Sequence, residues 1–402
     1  MNLTIYRGTN QIGGNCIELE HNNTRILLDF GIPLEAMDMK NCKIEEFKPA
    51  IKNEYAAIFV SHAHPDHYGL LELIDNDTPI YATSDTCEML KYIAPLTTKF
   101  YTQNLNFKVI DEKIKIGDFE IIAHPIDHSI AGACALEISC KNKTILYTGD
   151  IRFHGRCRGK NKSLTENIGK IDYLIMEGTT ISRTNQEKVF ENDLVKQFEE
   201  VFKKNKLPLV QVSAQNIDRF VTIFKACLST KKTFVIDPYS CYILELYGKN
   251  KTTIPQFDWN NIRVYRANNS ITRNLEANGL LEKYMTKEIL IDEIQKYPQK
   301  FVIKGNFDIN NICLKKFKKE KLNIIFSIWK GYLDKPSYLN NYKDIITCIH
   351  TSGHATVQDL QEFVETIKPK AIIPIHTECK EQYARLFNAP TISLNDNVTI
   401  SL

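Results

Sequence analysis

The sequence has no Cys-x-x-Cys pair, no internal repeat, no low-complexity tract and no apolar run approaching the thickness of a bilayer. Each absence removes a class of protein. The 11 cysteines are odd in number and stand singly, as at Cys16, Cys87, Cys227 and Cys348, mostly beside apolar residues. That pattern reads as reduced core thiols, with no cysteine as ligand or nucleophile, rather than as a disulfide framework. Apolar stretches such as Ala56–Val60 fall far short of the roughly 20 residues that a membrane-crossing helix needs. Met1–Gly14 turns polar and glycine-bearing too soon for a signal peptide. A cytoplasmic chain with no membrane partner is therefore expected. The formal charge of +3 is too small to mark a polyanion-binding protein by itself, so such a partner would be met by local patches. Tryptophan is scarce: Trp259 and Trp329 are the only 2, and both read as packing rather than base-stacking residues.

What the chain does have is length and an ordinary apolar content. Its 402 residues, 43% hydrophobic and 25% charged, suffice for two domains or for one domain carrying an insertion. Short apolar runs at Arg25–Asp29, Ala56–Val60, Phe119–His124, Thr144–Tyr147 and Tyr173–Met176 predict buried strands. Several end in Asp, His or Glu, where a sheet would fix a polar side chain beside substrate-admitting loops. From about Thr184 the rhythm changes. Glu187–Lys203 has helical spacing, followed by a strand at Leu209–Val212, a helix at Ile217–Leu228 and a strand at Thr233–Ile236. This β-α-β order predicts a small parallel sheet with flanking helices. The lysine-rich stretch Lys315–Lys321 reads as a solvated helix face. After Asp344 the earlier pattern returns, with strands at Ile345–Ile349 and Ala371–Ile375 around a helix introduced by the capping pair Thr356 and Asp359. The expected organisation is one domain in two parts, 1–183 and 345–402, interrupted by an inserted domain at 184–344.

The histidines carry the chemistry. Of the 10 in the chain, seven fall at 62, 64 and 67, at 128, and at 350, 354 and 376. In HAHPDH, directly after a predicted strand, alternate residues of extended chain point the same way, so His62 and His64 can grip one metal. Asp66 and His67, beyond the turn at Pro65, can face a second. A polar surface loop is the plain alternative, but three histidines and an aspartate within six residues weigh heavily against it. Asp150, in the turn Thr148–Asp150, suits a bridging carboxylate, and His128 the remaining position at the first metal. Imidazoles with a few carboxylates suit two zinc ions, and manganese fits the same set. Two such cations about 3.5–4 Å apart would activate a bridging water as a hydroxide nucleophile.

The motifs HAHPDH, DHSIAGA, TGD, EGT, SGHA and IPIHTE, in this order, resemble the metallo-β-lactamase fold with a β-CASP insertion, and most closely the ribonuclease J family. The resemblance covers nearly the whole chain, more loosely in the inserted part. It implies an α/β fold: a four-layer αββα sandwich interrupted by an α/β β-CASP domain. It implies one metal at His62, His64 and His128, a second at Asp66, His67 and His376, and Asp150 between them. It further implies that Glu177 and His354 serve the leaving group, His354 as a proton donor steadied by the acid. The catalytic set would then be Asp66, Asp150, Glu177 and His354.

For substrate, the resemblance implies phosphate contacts from Ser213 and Arg219 in Val212–Phe220, where Gln215, Asn216 and the helix start also offer donors. A capped helix with a surface arginine is the competing reading there. His350, Ser352, Gly353 and His354 offer a second pocket, which the family uses for a 5′-terminal phosphate. Arg152, His154, Arg156, Arg158 and Lys160 read either as an electrostatic path or as a solvated basic loop. The function implied is a metal-dependent nuclease on single-stranded RNA, exo- or endonucleolytic, with DNA as the alternative polymer and a homo-oligomer as the other partner. The competing classes are a small-molecule metallo-hydrolase and a catalytically silent scaffold. Two departures from the family stand out: the sequence reaches Leu402 soon after IPIHTE, where the family usually carries a further C-terminal domain, and Ile325–Leu333 differs from the usual sequence.

Overall fold

The structure, a computed structural model, describes residues 1–36, 41–97, 99–183, 187–248, 253–333 and 338–402. By its internal contacts the chain forms two compact units, Met1–Lys188 with Gly353–Leu402, and Val189–Ser352. The expected change of rhythm at Thr184 lies outside the described residues. No helix among them is long and apolar enough to cross a membrane.

The first unit is built on two sheets. One has seven strands: β1 (Asn2–Arg7), β2 (Cys16–His21), β3 (Thr24–Phe30), β4 (Ala57–Phe59), β5 (Ile80–Ala82), β6 (Phe107–Val109) and, beside β1, β19 (Val398–Ser401). The other has six: β7 (Ile114–Ile116), β8 (Phe119–Pro125), β9 (Cys134–Cys140), β10 (Lys143–Tyr147), β11 (Tyr173–Glu177) and β18 (Ala371–Ile375). The period-2 alternation of strands decides how they stack. Leu3, Ile5, Ile17, Leu19, Ile26, Leu28 and Phe59 from the first sheet meet Ile121, Leu136, Ile138, Ile145, Ile175 and Ile373 from the second in one core. Their neighbours Leu146, Leu174, Met176 and Ile372 face the other way, against Leu164 of one helix (Gly159–Asn167) and Leu360, Phe363 and Val364 of another (Val357–Ile367). Strands covered on both faces must be apolar throughout, which is why YLIM and AIIPI lack alternation. Short helices, among them Ile44–Phe47 and Ser84–Glu88, lie on the far side of the seven-stranded sheet, with Phe47 against Phe30 at 5.8 Å. The layers are helix, sheet, sheet, helix, as expected.

Register decides where the site forms. β10, β11 and β18 run parallel, pairing Tyr147 with Ile175 and Glu177 with Ile375. Asp150, Glu177 and His376 therefore emerge from one edge. In the first sheet, β3 and β4 are parallel, with Leu28 opposite Phe59, so Asp29 and the HAHPDH loop leave at neighbouring strand ends.

The second unit holds a six-stranded, all-parallel sheet in the order β14 (Ile262–Val264), β13 (Thr233–Ile236), β15 (Phe301–Gly305), β12 (Leu207–Gln211), β16 (Leu322–Phe326), β17 (Ile346–Cys348). It is larger than the small sheet expected, and its strands are joined by helical crossovers, as parallel pairing requires. Two expectations need correction. The helix read over Glu187–Lys203 begins only at Leu194, because Glu191 is drawn into a buried pair with Arg219 instead of continuing a helical turn. The strand before His350 was grouped with the first domain, yet β17 pairs with β16, so the first unit resumes at Gly353 rather than at Ile345.

Candidate metal centre

His62 and His64 leave the end of β4 in extended chain, and Pro65 opens the one-turn helix Pro65–Tyr68 that carries Asp66 and His67. Proline suits that position because its fixed φ is already helical and no backbone donor is lost. The loop is pressed against the end of β3: Gly14 and Asn15 donate backbone N–H bonds to the Asp66 carbonyl at 3.1 Å each. A Cβ on Gly31 would stand 1.6 Å from that carbonyl oxygen, so only glycine allows the approach.

Three imidazole nitrogens and one carboxylate converge on a point. His62 Nε2 lies 3.1 Å from His64 Nδ1, and His128 Nε2 lies 3.1 Å from the same atom. Asp150 Oδ2 lies 3.6 Å from His62 Nε2 and 3.9 Å from His128 Nε2. Zinc–nitrogen bonds of about 2.0–2.1 Å in a tetrahedron imply edges of roughly 3.3 Å, which these separations match. A second group, Asp66, His67, Asp150 and His376, has its ligand atoms within 4.8 Å of one another. Here His67 Nε2 is 3.3 Å from Asp150 Oδ2 and 3.8 Å from Asp66 Oδ2, and His376 Nε2 is 3.8 Å from Asp66 Oδ2. Asp150 belongs to both groups.

The donor set fits a metal on two further counts. His67 Nε2 and Asp150 Oδ1 are buried without a hydrogen-bond partner among the described residues, a condition that costs free energy unless a cation satisfies it. Burial, and then the neighbouring imidazoles, hold His62 and His128 well below the ordinary histidine value, while burial pushes His64 down to about 4. Neutral imidazole is the form that ligates. His67 behaves otherwise: burial opposes its charge, yet Asp150, Asp29 and Asp66 outweigh that and raise it.

Three of the candidate ligands, His67, His128 and His376, are aimed from behind, the arrangement that fixes a metal-binding tautomer. His67 Nδ1 donates to Asp29 Oδ2 at 2.7 Å, and His128 Nδ1 donates to the Gly353 carbonyl at 2.6 Å. His376 Nδ1 donates to Asn15 Oδ1 at 3.1 Å; Asn15 Nδ2 donates to the Tyr147 hydroxyl at 3.1 Å, and that hydroxyl donates to Asp29 Oδ2 at 2.6 Å. His376 and His67 are thus joined through Asn15, Tyr147 and Asp29. Ser61 closes the set, its N–H and hydroxyl donating to Asp29 at 2.7 and 2.8 Å. Asp29 and His376 both hold positive φ, of 56° and 52°, strained conformations of the kind that cluster at functional sites. Asn15, Asp29, Ser61 and Tyr147 were missing from the expected site. The one available signal was the acid ending the apolar run Arg25–Asp29.

Beside Asp150 stands a third group. Glu177 Oε1 and Oε2 lie 3.1 and 3.0 Å from His354 Nδ1, and the Ile151 N–H donates to Glu177 Oε1 at 2.8 Å. Glu177 therefore steadies both His354 and the turn that presents Asp150. Burial disfavours the His354 imidazolium, but Glu177 and Asp150 prevail and raise it to about 9. With Nδ1 turned to the acid, Nε2 is on the far side of the ring.

The expected phosphate contacts fare differently. Arg219 is fully buried: Nε donates to Glu191 Oε1 at 2.7 Å, Nη2 to Glu191 Oε2 at 3.0 Å, and Nη1 to Ser327 Oγ at 2.5 Å. It is a strut of the second unit and offers no surface cation, which corrects the phosphate-binding reading. Ser213 is exposed, with Oγ accepting the Gln215 N–H at 3.3 Å, and Asn216 caps the following helix. His350 and Ser352 are half-buried in the second unit, while Gly353 lies in the first and turns its carbonyl to His128. In the basic loop, Arg152 and His154 are buried, with Arg152 Nε donating to Asp127 at 3.2 Å; Arg158 is exposed and Arg156 and Lys160 are half-buried.

Comparison with known proteins agrees with this geometry. The beta-lactamase superfamily domain matches residues 24–206, and a Zn-dependent metallo-hydrolase RNA specificity domain matches residues 341–391. The chain thus carries a metallo-β-lactamase domain together with the RNA specificity domain. Among curated relatives, Ribonuclease J of Helicobacter pylori (strain B128) is 23% identical over 419 residues, covering 94% of this chain and 56% of the relative. Ribonuclease J of Mycoplasma genitalium is 23% identical, covering 93% of this chain and 67% of the relative. A probable RNase MJ4 of Methanocaldococcus jannaschii is 26% identical over 241 residues, 54% of each chain. This chain thus spans a little over half the length of the first of these relatives. A crystal structure of a protein of unknown function from Enterococcus faecalis V583 shares the fold, with TM-score 0.78 and 22% identity over 100% of this chain and 99% of that one.

Proposed function

We propose that this chain is a metal-dependent ribonuclease of the β-CASP type, acting on single-stranded RNA, with the second unit as its β-CASP insertion. The observation that carries the reading is Asp150, shared by two ligand groups and flanked by the Glu177–His354 pair. The relatives named as ribonucleases support it, as does the RNA specificity match at the C-terminal part of the chain.

His62, His64, His128 and Asp150 would hold one cation, and Asp66, His67, Asp150 and His376 the other, zinc or manganese in each case. Bound there, the cations would supply Lewis-acid stabilisation of the phosphodiester and a nucleophile at neutral pH. The remaining work falls to the protein. Glu177 holds the His354 ring with Nδ1 inward and favours its protonated form, so Nε2–H can donate to the leaving oxygen as the bond to phosphorus breaks. The network through Asn15, Tyr147 and Asp29 keeps His376 and His67 from turning when substrate enters. A catalytically silent scaffold would be expected to lose ligands, and every expected ligand position is filled.

The reading is tested by a panel of labelled single-stranded RNA, labelled DNA and bis-p-nitrophenyl phosphate offered to the zinc- or manganese-loaded chain. RNA should be cleaved faster than DNA, leaving 5′-phosphate ends. Turnover of the small ester with neither polymer cut would replace the nuclease with a small-molecule hydrolase.

A further inference from the structure

Ile325–Leu333 is unusual in sequence, and its Trp329 reads as a packing residue from sequence alone. Trp259 does pack, with its ring 5.4 Å from that of Phe224. Trp329 packs only in part: it is 46% exposed, and Tyr332, three residues on, is 45% exposed. A single apolar side chain at the surface means little, but two large aromatic rings held together there call for an explanation.

The pair is held in shape. The ring centroids are 5.5 Å apart at 82°, an edge-to-face contact. The Tyr332 N–H donates to the Trp329 carbonyl at 3.1 Å, closing a turn over Lys330–Leu333. The indole lies on the backbone of Gly331, where a Cβ would stand 2.3 Å from the six-membered ring. No other residue at 331 would let the ring lie there. The turn follows β16, at the carboxyl edge of an all-parallel sheet, the edge at which open α/β sheets take their ligands. It is anchored at its start, since Ser327 Oγ donates to the Ile349 carbonyl at 2.7 Å and accepts from Arg219. Lys330, between the rings in sequence, is exposed.

Flat, pre-ordered π surfaces beside an exposed cation are the chemistry that receives an unpaired base and its phosphate. We propose that Trp329 and Tyr332 form a stacking platform for a nucleobase of single-stranded RNA, with Lys330 meeting the adjoining phosphate. The proposal deepens the ribonuclease reading and rests on it for the identity of the polymer. Stacking accepts any base, so the platform contributes affinity more than sequence preference.

The chain has 2 tryptophans, so Trp259→Phe leaves Trp329 as its sole indole reporter. The full-length variant is titrated with a short phosphorothioate-linked oligoadenylate, which resists cleavage, and with an abasic oligomer of equal charge. The oligoadenylate should quench the indole emission and the abasic oligomer should leave it unchanged. Trp329→Ala and Tyr332→Ala should each weaken oligoadenylate binding about 5- to 150-fold, with little effect on the abasic oligomer. Trp329→Phe should restore most of the lost affinity, which separates stacking from damage to the turn. Equal quenching by both oligomers, or unchanged affinity in both alanine variants, would overturn the platform. RNA cleavage without base-dependent quenching would strike the platform alone; base-dependent quenching without RNA cleavage would strike the nuclease reading alone.

Discussion

Among single residues, His354 and Glu177 divide the labour most clearly from the ligands. Glu177 is 1% exposed and spends its two oxygens on His354 Nδ1 and on backbone N–H groups, so its position is set before any substrate arrives. His354 Nδ1 lies 3.8 Å from Asp150 Oδ2, beside the proposed reacting centre but in neither histidine-rich candidate group. His354→Ala should therefore lower RNA turnover by about 10²–10⁴-fold, the range for a lost general acid, while metal content stays near that of the parent protein. Metal analysis beside single-turnover cleavage checks this. Loss of metal along with activity would make His354 a ligand; full activity would remove it from the mechanism. The clustering of the candidate ligands was legible because HAHPDH is local: its spacing alone presents three imidazoles and a carboxylate. Asn15, Asp29 and Tyr147 were not, because each acts through a partner that only strand pairing and sheet stacking bring near. Arg219 was misread for the same reason, its partner Glu191 lying 28 positions earlier in the chain.

At the level of elements, strand ends do the placing. Buried runs such as Tyr173–Met176 and Ala371–Ile375 could be read from composition, and the helix Val357–Ile367 from its cap, where Thr356 and Asp359 form a reciprocal capping box. Less legible were β1, β2 and β19, whose pairing joins the two ends of the chain, and the start of the helix at Leu194. The second unit's sheet carries its own electrostatic anchor at two strand ends, where Lys304 Nζ reaches Asp237 Oδ2 at 2.5 Å and Ser240 donates to Asp237 Oδ1. Burial alone would raise the Asp237 carboxyl, but Lys304 and the Ser240 bonds outweigh it and hold the group below its ordinary value. A carboxyl depressed on folding contributes stability above its unfolded value of about 3.9, and that contribution is lost as pH falls through the folded value. Asp237→Asn should thus destabilise the second unit at about pH 7, and its difference from the parent should shrink as the pH drops below about 3.9. Denaturant midpoints across that range test this. A difference independent of pH would mean that Asp237 acts as a hydrogen-bonding group alone.

In the whole molecule, the first unit is assembled from both ends of the chain. His62 to Glu177 come from its first segment, and His354 and His376 from its last, so the candidate metal site is complete only once Val189–Ser352 has been spanned. The αββα sandwich and the presence of an insertion were readable from the order of motifs. The extent of the inserted sheet was not, since six parallel strands look in sequence like six short apolar runs. The central claim is that the two ligand groups sharing Asp150 make this chain a metal-dependent ribonuclease. Its most direct test is cleavage of one labelled single-stranded RNA by the full chain as purified, after exhaustive chelation, and after zinc or manganese is restored. The account predicts cleavage that disappears with the metal, returns with it, and does not return in Asp150→Ala. RNA cleavage that survives chelation, or that Asp150→Ala retains, would contradict it.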